Sequence, residues 1–281
     1  MTRPEIDAPS PAPAAAPTPP LAPPVAPLAA DLDALAVERL AAADPDDGRP
    51  GLLFLAGYHS TMAGDKASRL VELARARGLA CTRFDYRGHG TSGGDARALG
   101  IGHWLADALA VVDASAGPLV LVGSSMGAWL ATLAARARPR RVAGLLTLAA
   151  APDFTERRVR PGLGAAGEAA LAAGRLLHRP SDDPGTRWPI PPVLLSSGLG
   201  HRVLDDADWR LAVPVTLVHG TADADVPWAS SLELLERRCP PGSELTLVAG
   251  ADHRLSDDGA LAAMERALDG LLARLPAPEG A

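Results

Sequence analysis

Short, continuous apolar runs alternate with helical segments along most of this chain, and this alternation constrains its fold more than any other feature. The apolar runs predict strands at 52–56, 80–85, 119–122, 142–149, 213–219 and 244–248. The segments between and after them predict helices at 66–77, 101–115, 126–138, 229–238 and 259–275. Strands that are apolar on both faces are typical of a sheet covered by helices on both sides. The pattern therefore predicts an α/β fold with a doubly wound, mostly parallel sheet.

Two segments interrupt this alternation. Residues 35–40, followed by the turn sequence ADPDDGRP, predict an edge hairpin with the strand at 52–56. Residues 152–211 are rich in glycine and proline and are too long for a simple loop in a compact domain. We therefore expect them to form a small cap insertion over the carboxyl edge of the sheet, where ligands bind in such folds.

The amino-terminal segment differs in composition from the rest of the chain. Ten of the 27 prolines fall within residues 4–27, and proline at this density removes the backbone donors that helices and sheets need. We expect residues 1–30 to form a disordered arm and residues 31–281 to form the folded domain. Proline also interrupts any candidate signal sequence, and no later run is long and apolar enough to predict a membrane span.

Charge and cysteine content narrow the classes of partner. The chain has 27 basic and 33 acidic residues, which predicts no binding to nucleic acid or to an acidic membrane surface. Its two cysteines, Cys81 and Cys239, have no metal-binding spacing, and a reducing cytoplasm suits them. We expect a cytoplasmic protein that acts on a small molecule and uses neither a metal nor a cofactor.

The sequence GSSMG at 123–127 lies between a predicted strand and a predicted helix. This is the context of a G-x-S-x-G turn that exposes a nucleophilic serine, since side chains at Gly123 and Gly127 would collide with the neighbouring strand and helix. Ser125 is the serine expected to project, and Ser124, one residue earlier, is the alternative. A serine hydroxyl needs a base and an orienting acid, so the motif predicts a histidine and a carboxylate farther along the chain.

Seven histidines are available as the base. His253 follows the last predicted strand and precedes the last helix, which places it on a loop at the carboxyl edge of the sheet. His219 ends a strand, where a structural role in bonding the loop backbone is expected. His103, His178 and His201 fall on a helix face or in the cap insertion, and we expect them to be surface or packing residues.

The loop HGTADADVP supplies two candidate acids. Its spacing favours Asp223 as the orienting acid. Asp225 is expected to cap the helix at 228–238 or to bond nearby backbone. The acid would hold the tautomer of the histidine and stabilise its charged form.

Acyl transfer also requires two donors for the negative charge that develops on the carbonyl oxygen. We expect the backbone N–H of Met126, at the start of a helix, and the backbone N–H of Tyr58, in the loop after LLFLAG. The side chain of His59 is a candidate for a polar contact with the substrate.

Several of these motifs resemble those of the α/β-hydrolase superfamily over about residues 34–275: AGYHS at 56–60, FDYRGHGTSGG at 84–94, GSSMG, HGTADADVP and GADH. The longer runs FLAGYHSTMAGDKA, CTRFDYRGHG, VGSSMGAWL and DHRLSD are similar to one subgroup. It comprises small-capped abhydrolases, among them the mitochondrial palmitoyl-protein thioesterase, also an esterase of acyl glucuronides, and its bacterial relatives. The resemblance implies an α/β-hydrolase fold, a triad at Ser125, Asp223 and His253, and an oxyanion hole at Tyr58 and Met126. The segment at about 155–190 departs from the family pattern.

These observations together predict a serine hydrolase that cleaves a carboxylic ester or an acyl thioester through an acyl-enzyme on Ser125. An acyltransferase or a peptidase on the same triad stays open, because the leaving group and the acceptor are chosen by the shape of the pocket. A non-catalytic binding module is an alternative of another class, and such a protein would be expected to have lost a triad residue. A dehydrogenase is not favoured, since the glycine-rich run at 90–102 has no tight G-x-G-x-x-G turn.

Overall fold

A computed structural model describes residues 32–180, 187–205 and 209–276, and the arm predicted at 1–30 lies outside them. The strands are β1 (Val37–Leu40), β2 (Gly51–Leu55), β3 (Cys81–Phe84), β4 (Leu119–Ser124), β5 (Val142–Leu148), β6 (Leu177–Pro180), β7 (Arg187–Ile190), β8 (Val215–Gly220) and β9 (Glu244–Val248). Seven of them form one sheet in the order β1-β3-β2-β4-β5-β8-β9. All neighbours in this sheet run parallel except β1, which confirms the predicted mostly parallel sheet.

Helices cover this sheet. They are α1 (Asp65–Arg77), α2 (Ile101–Ala114), α3 (Met126–Ala137), α4 (Gly164–Ala172), α5 (Pro192–Leu199), α6 (Ala229–Arg238) and α7 (Asp258–Ala273). Both α3 and α7 pack on β5, with α2 beside α3 and α1 beside α7. Strands β2, β4 and β8 are buried along their whole length, as continuous apolar runs require. Within the described ranges, no helix has the length and apolar character needed to cross a membrane.

The predicted edge hairpin is wrong. Strand β1 does lie at the edge of the sheet, but it pairs antiparallel with β3, not with β2. The reason is burial: β2 is buried at every position and lies inside the sheet between β3 and β4, whereas both middle residues of β1 are exposed. A strand with an exposed face suits the outer edge, where β3 offered the free partner.

The segment between β5 and β8 contains α4, the antiparallel ribbon of β6 and β7, and α5, and it includes the residues predicted as a cap. The buried carboxylate of Asp153 joins its two ends, because it accepts the backbone N–H groups of Val203 at 2.7 Å and Leu204 at 2.8 Å. Burial raises the pKa of Asp153 to about 6. This contact holds the residues that follow α5 beside the residues that follow β5.

Candidate active site

Ser125 occupies the sharp turn between β4 and α3. Its φ of 54° and ψ of −117° lie outside the helical and extended regions, so the backbone is strained there. A Cβ atom on Gly127 would overlap the carbonyl oxygen of Leu55, and one on Gly123 would lie 2.6 Å from the Cα atom of Ala128. Glycine is therefore required at both positions, for the steric reason expected from the motif.

The structure brings Ser125, His253 and Asp223 together at the carboxyl edge of the sheet. His253 Nε2 lies 3.0 Å from Ser125 Oγ, and His253 Nδ1 lies 2.7 Å from Asp223 Oδ2. Asp223 follows β8, and His253 lies between β9 and α7. An ionised carboxylate can only accept hydrogen bonds, so Nδ1 carries the imidazole hydrogen and Nε2 accepts the hydrogen of the Ser125 hydroxyl.

The Asp223 carboxylate is kept ionised by its surroundings. Its side chain is fully buried, and burial alone would raise its pKa. Hydrogen bonds from His219 at 3.0 Å, from His253 at 2.7 Å and from the backbone N–H of Val226 at 2.7 Å outweigh this effect. The pKa of Asp223 is therefore held well below its ordinary value, and the group accepts from His253 across the neutral pH range.

The two positions expected for the oxyanion hole flank Ser125. Met126 is the first residue of α3, so its N–H has no partner within the helix. Tyr58 follows Gly57, at which a Cβ atom would lie 3.3 Å from the Cβ of Ser125. The side chain of Tyr58 has a separate contact that sequence reasoning missed, because its hydroxyl donates to the carbonyl oxygen of Pro189 on β7 at 2.5 Å.

His59 lies in the same loop and lines the cavity beside Ser125. Its ring contacts Tyr58, with the ring centroids 4.3 Å apart, and His89, with the centroids 5.6 Å apart. Loss of hydration and the neighbouring His89 lower the pKa of His59 to about 4. Its imidazole is therefore neutral near pH 7 and can donate or accept one hydrogen bond, as a polar substrate contact requires.

The other candidate residues for these roles make different contacts. Ser124 ends β4, and the hydroxyl that donates to His253 Nε2 is that of Ser125. The histidines expected to be packing or surface residues do not line the cavity: His103 on α2, His178 on β6 and His201 directly after α5. His219 bonds the backbone carbonyl of Val226 at 3.0 Å, as expected, and it also contacts Asp223.

Ser125 and His253 line a cavity of about 560 Å³. Aromatic side chains contribute to its wall from the loop after β2 and from the insertion: Tyr58, Phe154 and Trp188. Its charged residues are Asp65, Lys66, Arg158, Arg179, Arg187, Asp225, Asp252 and Arg254. Sequence reasoning gave Arg158, Arg179 and Arg187 no role, because an insertion without regular periodicity gives no signal about where its side chains point.

Of the two roles expected for Asp225, the capping of α6 is wrong. The residue at the N-cap position is Trp228, and Asp225 lies at the cavity wall instead. Its carboxylate is 3.9 Å from Arg179, and its backbone carbonyl accepts two hydrogen bonds from the Arg158 guanidinium, at 3.1 and 2.8 Å. Asp225 therefore joins the loop after β8 to two arginines of the insertion.

Lys66 is the only lysine in a chain that also has 26 arginines. It lies on the first turn of α1, lines the cavity, and donates a hydrogen bond from Nζ to the backbone carbonyl of Arg254, the residue after His253. Burial lowers the pKa of Lys66 to about 8. The lysine therefore connects α1 to the loop that carries the histidine of the site.

The family follows from comparison with known proteins. A model of the alpha/beta hydrolase family matches residues 52–267. The chain belongs to this family. It is 32% identical over 246 residues to the palmitoyl-protein thioesterase ABHD10 of Rattus norvegicus mitochondria, covering 87% of this chain and 81% of that protein. The human protein of the same name is 30% identical over 262 residues, covering 87% of this chain and 78% of that protein.

Solved structures agree with this assignment. A bacterial structure from Agrobacterium vitis S4 superposes with a TM-score of 0.80 and 36% identity, covering 85% of this chain and 93% of that one. The alpha/beta hydrolase domain-containing protein 10 from mouse superposes with a TM-score of 0.77 and 32% identity, covering 85% of this chain and 94% of that one. The α/β-hydrolase fold that the sequence motifs implied is therefore confirmed.

Proposed function

We propose that this chain is a serine hydrolase that cleaves a carboxylic ester or an acyl thioester through an acyl-enzyme on Ser125. The observation that carries the proposal is the unbroken series of hydrogen bonds from Ser125 Oγ through His253 to Asp223 at the wall of a cavity. The strained backbone of Ser125 supports it, since such strain is concentrated at functional sites.

In this mechanism Ser125 Oγ attacks the carbonyl carbon of the substrate while its proton passes to His253 Nε2. The carbonyl oxygen becomes negatively charged and accepts hydrogen bonds from the backbone N–H groups of Met126 and Tyr58. The tetrahedral intermediate then collapses, the proton on His253 passes to the departing alcohol or thiol, and the acyl group remains on Ser125. Water next gives a proton to His253 and attacks the acyl carbon. As the bond between this carbon and Ser125 Oγ breaks, His253 returns the proton to Oγ and the carboxylic acid leaves.

The relatives support an acyl thioester within the substrate range, because the mitochondrial proteins similar to this chain are named as palmitoyl-protein thioesterases. Residues 152–211 are proposed to act as a cap, since Phe154, Arg158 and Trp188 of this segment contribute to the cavity wall. Their side chains would then contact the acyl or leaving group. A cytoplasmic location stays a prediction, which fractionation of cells that express the chain would test.

A fluorophosphonate probe tests the nucleophile directly, because it reacts with activated serines. The wild type, Ser125→Ala and the matched control Ser124→Ala are labelled, and the modified peptide is identified by mass spectrometry. Hydrolysis is then followed for pairs of oxygen esters and thioesters that share one acyl chain.

We expect an adduct on Ser125 in the wild type and in Ser124→Ala, and none in Ser125→Ala. Hydrolysis should fall by about 10³-fold or more in Ser125→Ala, as loss of a triad residue does in related chemistry. Absence of an adduct on folded wild-type protein, or near-normal hydrolysis by Ser125→Ala, would remove Ser125 from the mechanism and favour a binding module. The paired substrates then decide between esters and thioesters.

A further inference from the structure

The carboxylate of Asp223 has a second histidine on its far side. His219 lies on β8, is fully buried, and its Nε2 is 3.0 Å from Asp223 Oδ2, the same oxygen that accepts from His253. Its Nδ1 is 2.7 Å from the hydroxyl oxygen of Ser231 on α6. Asp223 Oδ2 therefore lies between two imidazole rings, one facing Ser125 and one facing the protein interior.

The hydrogen on His219 can be placed from its partners. Nε2 faces two acceptors, Asp223 Oδ2 and the backbone carbonyl of Val226, each at 3.0 Å. Neither acceptor can donate, so Nε2 carries the hydrogen. In the neutral ring Nδ1 then accepts from the Ser231 hydroxyl, and every polar atom of the buried ring has a partner. The ring is thus fixed as an Nε2 donor aimed at the acid.

The geometry points to His219 as a positioning residue that holds Asp223 through a hydrogen bond and so sets how strongly Asp223 attracts the proton of His253. This inference rests on the proposed function, because it assigns a role within the Ser125, His253 and Asp223 triad. The N–H group of His219 withdraws electron density from Asp223 Oδ2 and fixes the orientation of the carboxylate. Without that donor, the carboxylate binds a protonated His253 more tightly, and the histidine acts as a base only at higher pH.

The groups around Asp223 determine how strongly its carboxylate attracts the proton of His253. His219 contacts it from β8, His253 from the loop before α7, and the backbone N–H of Val226 from its own loop. Asp225, two residues farther on, lies 3.9 Å from Arg179 of the insertion. Within the described part of the chain, the titratable groups hydrogen-bonded to Asp223 are the two histidines. Removal of His219 therefore acts on His253 through one shared oxygen atom.

Two polar substitutions separate this role from a packing role. In His219→Gln the side-chain amide reaches the former position of Nε2 and can donate to Asp223. In His219→Asn the shorter amide reaches only the position of Nδ1 and can bond Ser231 but not Asp223. His201→Asn is a matched control, since His201 Nδ1 bonds the backbone carbonyl of Ser197 at 2.7 Å and does not line the cavity.

For these variants kcat/KM is measured from pH 5 to pH 9, with thermal unfolding to establish that each is folded. We expect His219→Asn to lower kcat/KM about 10- to 100-fold, the loss of one hydrogen bond to a charged group. Its acid limb should move to higher pH by about half a unit or more. His219→Gln should restore both values, and His201→Asn should leave the acid limb unmoved. Equal profiles for the folded Gln and Asn variants would overturn the inference.

A spectroscopic measurement covers the cases in which a variant does not fold or no substrate is turned over. NMR of wild-type protein with ¹⁵N-labelled histidine reports the tautomer of each of the seven rings. The signals of His219 are assigned by their absence in any folded His219 variant or by the contact of the ring with Ser231. This ring should carry hydrogen on Nε2 and none on Nδ1. Hydrogen on Nδ1 alone would overturn the inference, whereas failure of Ser125 to label would overturn only the proposed function.

Discussion

The same substitution, tyrosine to phenylalanine, should have opposite effects at the two tyrosines of this chain. The hydroxyl of Tyr58 donates to the carbonyl oxygen of Pro189 at 2.5 Å, which joins the loop proposed to hold an oxyanion donor to β7 of the insertion. The hydroxyl of Tyr86 is buried and has no hydrogen-bond partner among the described residues. Tyr58→Phe removes a hydrogen bond and Tyr86→Phe removes an unpaired polar group, while both keep the aromatic ring.

The magnitudes follow from these contacts. A hydrogen bond contributes about 0.5–1.5 kcal/mol to the free energy of unfolding, and Pro189 is only partly buried, so water can replace part of the loss. Tyr58→Phe should therefore lower the free energy of unfolding by about 1 kcal/mol, or Tm by about 2–4 °C in a domain of this size. A buried unpaired hydroxyl costs about 1–3 kcal/mol, so Tyr86→Phe should be neutral or stabilising by about 1 kcal/mol.

Urea unfolding and steady-state kinetics measure both effects. The Tyr58 hydrogen bond also restrains the loop whose backbone N–H is proposed to bind the oxyanion. We therefore expect kcat to fall about fivefold in Tyr58→Phe, which corresponds to about 1 kcal/mol in the transition state. In Tyr86→Phe kcat should be unchanged. If the two variants have the same stability and the same kcat, the Pro189 contact neither stabilises the insertion nor positions the loop.

Three further predictions concern the same site. Gly127→Ala should lower the free energy of unfolding by about 1–3 kcal/mol in urea, because its Cβ atom would overlap the backbone oxygen of Leu55, and an unchanged midpoint would contradict this. An amine-reactive reagent should inactivate the protein increasingly as the pH rises through about 8, where Lys66 loses its proton, and Lys66→Arg should resist it; mass spectrometry should locate the label on Lys66. Because the pKa of Asp223 is lowered on folding, its ionised form stabilises the fold above its unfolded pKa of about 3.9 and this contribution is lost as the pH falls below it. The difference in unfolding free energy between the wild type and Asp223→Asn should thus shrink as the pH falls below about 4, and a difference that grows below about pH 4 would refute the assignment.

The residues that meet at the site could be predicted because each lies at the end of a recognisable strand. Ser125 follows β4, Asp223 follows β8 and His253 follows β9, and the carboxyl ends of parallel strands share one edge of a sheet. A local pattern that identifies the strand is then enough to bring together residues as distant as Ser125 and His253, which are 128 positions apart. The steric demand on Gly123 and Gly127 is equally local, since it arises within one turn.

The pairing of β1 and the contacts of the insertion could not be predicted from such local patterns. The partner of β1 depends on which edge of the finished sheet is free, and a turn sequence between β1 and β2 carries no information about that edge. The contact between Tyr58 and Pro189 joins residues 131 positions apart, and Pro189 belongs to a segment whose sequence has no periodicity. Tyr58 follows a recognisable strand, but Pro189 does not lie at a place that a strand or helix pattern defines, so only the folded insertion reveals their hydrogen bond.

The role of His219 could be predicted from the sequence only in part. The motif H-G-x-x-D separates His219 from Asp223 by four residues, so both are visible in the sequence, and the strand pattern places one at the end of β8 and the other in the loop beyond it. Their contact requires the loop to fold back, and the two acceptors at His219 Nε2, Asp223 Oδ2 and the carbonyl of Val226, show that it does. One hydrogen of His219 therefore serves both the loop backbone and the acid, so a substitution that removes it affects both. The Gln variant keeps a donor at the position of Nε2, whereas the Asn variant keeps a polar group only at the position of Nδ1. Comparison of the two therefore separates positioning of Asp223 from packing.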